Sequence, residues 1–335
     1  MPLKAPPDPL RVGIIGTGGI SRAHAPGWIE AGAELHCHSL DGAEEFAVEF
    51  RARPHETLDA LLAAVDVVDI CTPTPAHAEL IHRALDAGRD VVCEKPLTLT
   101  AEDARAVAEH AEREGRMLFP AHVVRWFPQY AAAQRAIADG AIGRLAVLRF
   151  ERTGSFPTQP WFADEAQSDG LVMDQMIHDI DQAMWLAGPA ERVYAQQAAA
   201  DGDATVRTAH VVLTHTSGAI SHCRGFWGPP GTVFRYTFDL AGDAGRLQYD
   251  SAADPEVCLD EVAAARQGAD GQRAADDYLP DVTSLRSPYA EEVLAAVRAL
   301  RTGEAPRVTA ADGVRAVEVA RAALESLRTG RSIAC

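Results

Sequence analysis

The chain has 335 residues, 47% hydrophobic and 24% charged, the proportions of an ordinary globular protein long enough for two separate cores. A formal net charge of −17 argues against nucleic acid or an anionic membrane surface as partner, because either would be repelled. No run of about 18 apolar residues occurs, so no membrane-spanning helix is expected. The cysteines at 37, 71, 93, 223, 258 and 335 lack paired spacing and read as reduced thiols of a cytoplasmic compartment.

Met1 to Pro9 is rich in proline and lacks an apolar core, which reads as a disordered lead-in rather than a signal peptide. Residues 11–122 then alternate apolar runs (Arg11–Ile15, Glu34–His38, Val65–Cys71, Asp90–Cys93, Arg116–Phe119) with helical patterns at 19–31, 43–52, 55–64, 76–88 and 100–114. Near-continuous apolar runs suit parallel strands covered on both faces, and repeated strand–helix units predict an α/β, doubly wound parallel sheet. Gly88 and Gly115 close two of the helices, and Thr100 caps the last.

The first strand ends in Gly16-Thr17-Gly18-Gly19-Ile20-Ser21. In this position Gly16 permits a tight turn and Gly18 lets the backbone approach a pyrophosphate at a helix N-terminus, so NAD or NADP is the expected cofactor. The second strand runs His36-Cys37-His38-Ser39-Leu40-Asp41, with Leu40 where an acid would bind the adenosine ribose and Asp41 one residue late. Asp41 favours NAD; Ser39 could instead meet a 2′-phosphate, and the choice stays open. Cys37 alternates away from His36 and His38, so no metal is expected there.

Glu94-Lys95-Pro96 stands at the C-terminal end of a strand, where ligands bind in this architecture, and a Lys there can donate to a substrate oxygen. Past residue 122 the pattern changes: a helix from Phe127-Pro128 to Gly140, a strand at 144–152 and an apolar helix at 170–186. Strands follow at 191–198, 206–216, 219–227, 233–241, 245–250 and 256–260, joined by tight turns such as Thr216-Ser217-Gly218 and expected to be antiparallel. A polar loop at 264–280 and two amphipathic helices, Ser287 to Thr302 and Ala311 to Thr329, complete the chain. The division expected is a Rossmann domain over 1–122 and an α+β domain with a large, mostly antiparallel sheet over 123–335.

Asp174 and His178 lie four apart on the 170–186 helix, hence on one face. An imidazole can take a hydroxyl proton as hydride leaves, and a nearby carboxylate can bind an adjacent hydroxyl or raise the His pKa. The plain structural alternative is a helix histidine bonded to Asp174 or Asp181. No third ligand with convincing spacing accompanies them, so a metal-dependent hydrolase is disfavoured. Together with the glycine turn, Lys95, Asp174 and His178 point to hydride chemistry on an alcohol; a non-catalytic dinucleotide sensor would need the glycine turn alone.

On Gly16–Ser21, Cys71-Thr72-Pro73-Thr74-Pro75-Ala76-His77, Glu94-Lys95-Pro96, His122-Val-Val-Arg125-Trp126-Phe-Pro128 and Asp174-x-x-x-His178-Asp-Ile-Asp181, the chain resembles the Gfo/Idh/MocA oxidoreductases, which include inositol dehydrogenases and glucose–fructose oxidoreductases. The resemblance implies that Lys95 orients or polarises the reacting oxygen, His178 is the acid/base and Asp174 supports it. It implies that Thr72, Pro73, His77 and Glu94 border the cofactor, and that His122 and Arg125 line the nicotinamide and substrate cleft. A cis bond before Pro96 and a dimer or tetramer built through the second sheet are implied as well. Trp126 and Trp161 are candidate sugar-stacking rings, with core packing as the competing role. Pro120 lacks an N–H and is expected to end the fifth strand early. Substrate identity, direction and subunit number are not encoded in these motifs.

Overall fold

The computed structural model describes residues 9–200, 203–252 and 286–335; the lead-in at 1–8, the strand expected at 256–260, Cys258 and the loop at 264–280 lie outside them. The chain falls into two compact units, Met1–Phe127 with Val282–Val317, and Pro128–Asp281 with Glu318–Cys335. This is not a single cut after residue 122. Residues 288–308 join the first unit because Val293, Val297, Leu300 and Val308 pack into its core.

The first unit begins β1 (Arg11–Ile15), α1 (Gly19–Glu30), β2 (Glu34–His38), α2 (Ala43–Phe50), β3 (Arg53–Pro54), α3 (Leu58–Ala64) and β4 (Val67–Ile70). It continues with α4 (His77–Asp86), β5 (Asp90–Glu94), α5 (Ala101–Glu114) and β6 (Leu118–Ala121). All six strands are parallel, in the order β3-β2-β1-β4-β5-β6. This is the doubly wound sheet expected, with β3 added at one edge; two residues are too few to show a pattern in sequence.

Pro120 does not end its strand. It pairs in register with Cys93, and Ala121 pairs with Glu94. Because β6 is the edge strand, a missing N–H on its open side breaks no ladder bond, the one place where a sheet tolerates proline.

The second unit comprises α6 (Pro128–Ala138), β7 (Leu145–Ser155), α7 (Pro160–Ala163), α8 (Glu165–Ser168), a π-helical turn at Val172–Met176 and α9 (Ile177–Ala187). Then come β8 (Ala190–Ala200), β9 (Asp203–His215), β10 (Ile220–Gly228), β11 (Arg235–Gly242) and β12 (Arg246–Asp250). Two helices, α10 (Pro288–Thr302) and α11 (Ala310–Thr329), and a last strand, β13 (Ile333–Ala334), close the chain. The seven-stranded sheet runs β12-β11-β7-β10-β9-β8-β13. It is antiparallel except where β10 lies parallel to β7, because the chain leaves and re-enters the sheet between them.

The core of the first unit explains its composition. Val12, Ile14, Trp28, Leu35, Phe46, Phe119 and Trp126 are buried together with Val293, Val297, Leu300 and Val308. Each large apolar side chain so placed contributes roughly 1.5–3 kcal/mol, so α10 belongs energetically to the sheet that opens the chain.

Candidate active site

Gly16 adopts φ +88°, and a Cβ there would stand 3.0 Å from the Cys71 carbonyl. Its N–H donates to His38 O at 2.9 Å, which ties the turn to the end of β2. The buried Thr17 donates through Oγ1 to Asp41 O at 2.8 Å, and its N–H reaches Ser39 Oγ at 3.4 Å. Arg22 braces the same turn from α1, donating to Thr17 O and, at 3.2 Å, to Gly18 O. Around Gly18 and Gly19, by contrast, a Cβ would meet nothing within 4 Å. α1 starts at Gly19 with no side-chain cap and no acid in its first turn. Open space in front of unsatisfied helix N–H groups and the positive end of the helix dipole fits a dinucleotide phosphate. Ile20, on the first turn of α1, is half-buried beside this opening. At the end of β2 the Leu40 side chain is 96% exposed, and Asp41 is also exposed.

Glu94 closes β5, and the Lys95–Pro96 peptide is cis. Glu94 is buried, and its Oε2 accepts the Lys95 backbone N–H at 2.9 Å. Its Oε1 lies 3.1 Å from His24 Nε2, while His24 Nδ1 lies 2.9 Å from Asp69 Oδ2. Trp28 Nε1 donates to the same Asp69 oxygen at 2.7 Å, and the Cys71 thiol donates to Asp69 Oδ1 at 3.5 Å. His24 and Asp69 are fully buried. Carboxylates only accept, so an imidazole facing two of them carries a proton on both nitrogens. Burial is the largest single effect and works against that charge, but Asp69 and Cys71 together outweigh it and raise the His24 pKa well above its ordinary value. His24, Asp69 and Cys71 bring ligand atoms within 4.8 Å of one another, yet a doubly protonated ring has no lone pair to give an ion.

His77 links the neighbouring strand ends: its Nε2 lies 2.9 Å from Thr72 O and its Nδ1 3.0 Å from Pro96 O. Burial pushes its pKa down, against the pull of the two carbonyls that its nitrogens face. Thr72 is half-buried and Pro73 exposed at the head of a 3-10 turn. His122 is buried just past β6. Arg125, expected at the cleft, is buried and braces the C-terminal segment. It donates to Arg307 O at 2.9 Å and lies 3.4 Å from Asp312, while Arg307 returns a bond to Arg125 O at 2.8 Å. Trp126 packs in the core against Phe119, with the Arg307 guanidinium 5.3 Å from its ring centre.

In the second unit Asp174 does not share a regular α-helix with His178. It sits, buried, in the π-helical turn, and His178, half-buried, lies in the first turn of α9. Such turns recur at functional sites. Asp179 and Asp181 are buried beside His178, Asp179 paired with Arg152 at 2.8 Å. Trp161 is half-buried, stacked on Phe162 and bonded to Gln159.

The sequence reading missed His24, Asp69 and Trp28 as a group. The available signal was Asp69 itself, an acid inside the otherwise apolar, wholly buried run Val67–Ile70, which demands a buried partner.

Residues 10–122 match the oxidoreductase family with an NAD-binding Rossmann fold, and residues 130–248 match the C-terminal domain of the same family. The chain belongs to the GFO/IDH/MocA oxidoreductases. Among its relatives, a myo-inositol 2-dehydrogenase of Thermotoga maritima is 28% identical over 97% of this chain and 98% of its own. An NADP(+)-dependent D-xylose 1-dehydrogenase of Haloferax volcanii is 29% identical over 97% and 99%. The crystal structure of a probable dehydrogenase from Thermotoga maritima superposes with a TM-score of 0.80 at 27% identity, covering 97% of this chain and 99% of that one. Membership makes the chain an oxidoreductase with an NAD-binding Rossmann domain. Among the described residues, no helix is long and apolar enough to cross a membrane.

Proposed function

We propose that this oxidoreductase moves a hydride between NAD(P) and a CH–OH carbon of a sugar, cyclitol or similar polyhydroxy compound, with NAD preferred over NADP. The observation that carries the reading lies within the first unit. The open glycine turn after β1 and the Glu94-Lys95 pair after β5 stand at the same C-terminal edge of one parallel sheet, with only β4 between their strands. Ligands of open parallel sheets bind along that edge. When bound, the nicotinamide supplies or accepts the hydride.

Lys95 donates to the reacting oxygen and stabilises the negative charge that gathers there. His178 takes the hydroxyl proton in oxidation and returns it in reduction. Asp174 binds a neighbouring hydroxyl and supports His178. Gly16 to Ile20 hold the pyrophosphate, and Asp41 meets the adenosine ribose. Thr72, Pro73, His77, Glu94 and His122 border the nicotinamide half, and Trp161 offers a ring to the sugar. A homodimer or homotetramer through the seven-stranded sheet, in the cytoplasm, completes the proposal; Tyr194 and Ile220 on that sheet are 37% and 40% exposed.

The test is a turnover screen of cyclitols and pentoses with NAD and NADP, run on the wild type, Lys95→Ala and His178→Ala. Each variant should bind NADH as the wild type does and lose about 100-fold or more in turnover, the usual worth of an acid/base or oxyanion group. Unchanged turnover in either variant rejects its role. NADH binding without turnover of any polyol would favour a dinucleotide sensor. Tighter NADPH than NADH binding in a fluorescence titration would reverse the stated preference.

A further inference from the structure

Lys95 can act at a fixed point only if the backbone that presents it is held. Its N–H is held by Glu94 Oε2, on the side chain of the preceding residue. A glutamate at a strand end has several rotamers, so something must hold the carboxylate in turn. His24 Nε2 lies 3.1 Å from the other oxygen, Glu94 Oε1. The ring is fixed from behind by Asp69, which is itself fixed by Trp28 one helical turn further along α1. The order is therefore Trp28, Asp69, His24, Glu94, Lys95 N–H, running from α1 to β4, back to α1 and on to β5 with no exposed member before Lys95. The Tyr289 ring of α10, 6.1 Å from the His24 ring, helps close the space. Charged hydrogen bonds in such a dry site are strong and directional.

We infer that His24 is a positioning residue for Lys95, holding the Glu94 carboxylate so that its second oxygen receives the Lys95 N–H and fixes the backbone that presents the ammonium. The significance for catalysis rests on the reading of Lys95 given above; the geometry does not. Asp69 alone would suffice to neutralise a buried imidazolium. The second carboxylate, on the next strand, gives the ring its further use.

The experiment follows hydrogen exchange of the Lys95 amide in the wild type, His24→Asn and His24→Gln, without any substrate. The glutamine amide can take the place of Nε2 and still donate to Glu94; the shorter asparagine amide takes the place of Nδ1 and reaches only Asp69. Exchange at Lys95 should rise about tenfold or more in His24→Asn and stay within about threefold of wild type in His24→Gln. NADH affinity should stay within about threefold in both, since α1 keeps the Trp28–Asp69 bond and its packing on α10. Should His24→Asn fail to fold, Glu94→Gln replaces it: the neutral amide oxygen is a weaker acceptor, and Lys95 exchange should rise there too. Unchanged Lys95 protection in His24→Asn, or in Glu94→Gln where that replaces it, overturns the inference. So does loss of protection spread evenly over α1, β4 and β5 with loss of NADH binding, which would mark an ordinary core residue. Failure of the catalytic reading looks different: Lys95→Ala would turn over as the wild type while the exchange pattern held.

Discussion

Gly16 and Gly18 stand two residues apart and are held by different constraints. Gly16 needs its positive φ and has the Cys71 carbonyl 3.0 Å from any added Cβ. Gly18 has φ −77°, ordinary for any residue, and open space before it. The first is fixed by the protein and the second by what enters the space. Gly18→Val should therefore fold with a loss of about 1 kcal/mol or less, the difference between Gly and Val at a helix N-cap. Its NADH affinity should fall at least about tenfold, because two methyl groups fill the pyrophosphate path. Gly16→Val should instead lower stability itself, by about 1–3 kcal/mol of backbone strain. Chemical denaturation beside a fluorescence titration separates the two; wild-type NADH binding by Gly18→Val would remove the phosphate from this turn. Both glycines were legible in sequence because they follow a strand and open a helix. His24 was not, since its partners lie 45 and 70 residues away and nothing local distinguishes it from a surface helix histidine.

Elements were legible in proportion to how long and periodic they are. β1, β2 and β4 to β6 announce themselves as apolar runs, and Thr100, Ser287, Gly115 and Gly303 mark their helix ends as caps. The two-residue strands β3 and β13 and the four-residue helices α7 and α8 carry too few residues to show a period. The π-helical turn at Val172–Met176 lies in an apolar segment that still reads as α-helix, so the change of helix type was hidden. The crossing of α1 and α10 was hidden too, for α10 follows some 260 residues later. A Cβ on Gly27 would lie 2.9 Å from the Ala290 Cα and 2.8 Å from the Val293 Cβ, so the helices touch backbone to backbone at this glycine. Gly27→Ala should gain up to about 1 kcal/mol of helix propensity. Overpacking against atoms that cannot swing aside costs typically about 1–3 kcal/mol, and this term should win. The urea midpoint should fall accordingly; a more stable variant would show that α10 yields freely.

At the scale of the whole molecule, its buried histidines set opposite limits on pH. Burial lowers the pKa of His36, His55, His77 and His82 in the first unit and of His215 in the second. The geometry agrees: His36 Nδ1 faces His55 Nε2 at 2.8 Å, and His82 Nδ1 faces His110 Nδ1 at 2.7 Å, bonds that need one bare nitrogen each. As pH falls through about 6.5 the unfolded chain takes up protons that these rings refuse, so stability falls with pH on the acid side. His24 acts the other way. Its folded pKa is raised, so its contribution is complete below about pH 6.5 and is lost as pH rises through the folded value. Each unmatched proton is worth at most about 1.4 kcal/mol per pH unit, or some 3–6 °C for a unit of this size. The partly exposed rings should fall short of that limit. The lowered carboxyls of Asp66 and Asp312 enter only at lower pH. The thermal midpoint should thus peak near neutrality and decline on both flanks. Since four of the five lowered histidines and His24 itself lie in the first unit, its transition should shift more than that of the second. His24→Asn should keep the acid decline and lessen the alkaline one between about pH 6.5 and 8.5, below the range where the buried Cys37, Cys71, Cys93 and Cys223 thiols add their own. A wild-type profile level from pH 5 to 6.5 would contradict the neutral rings, and an undiminished slope in His24→Asn between about pH 6.5 and 8.5 would contradict the imidazolium between Asp69 and Glu94.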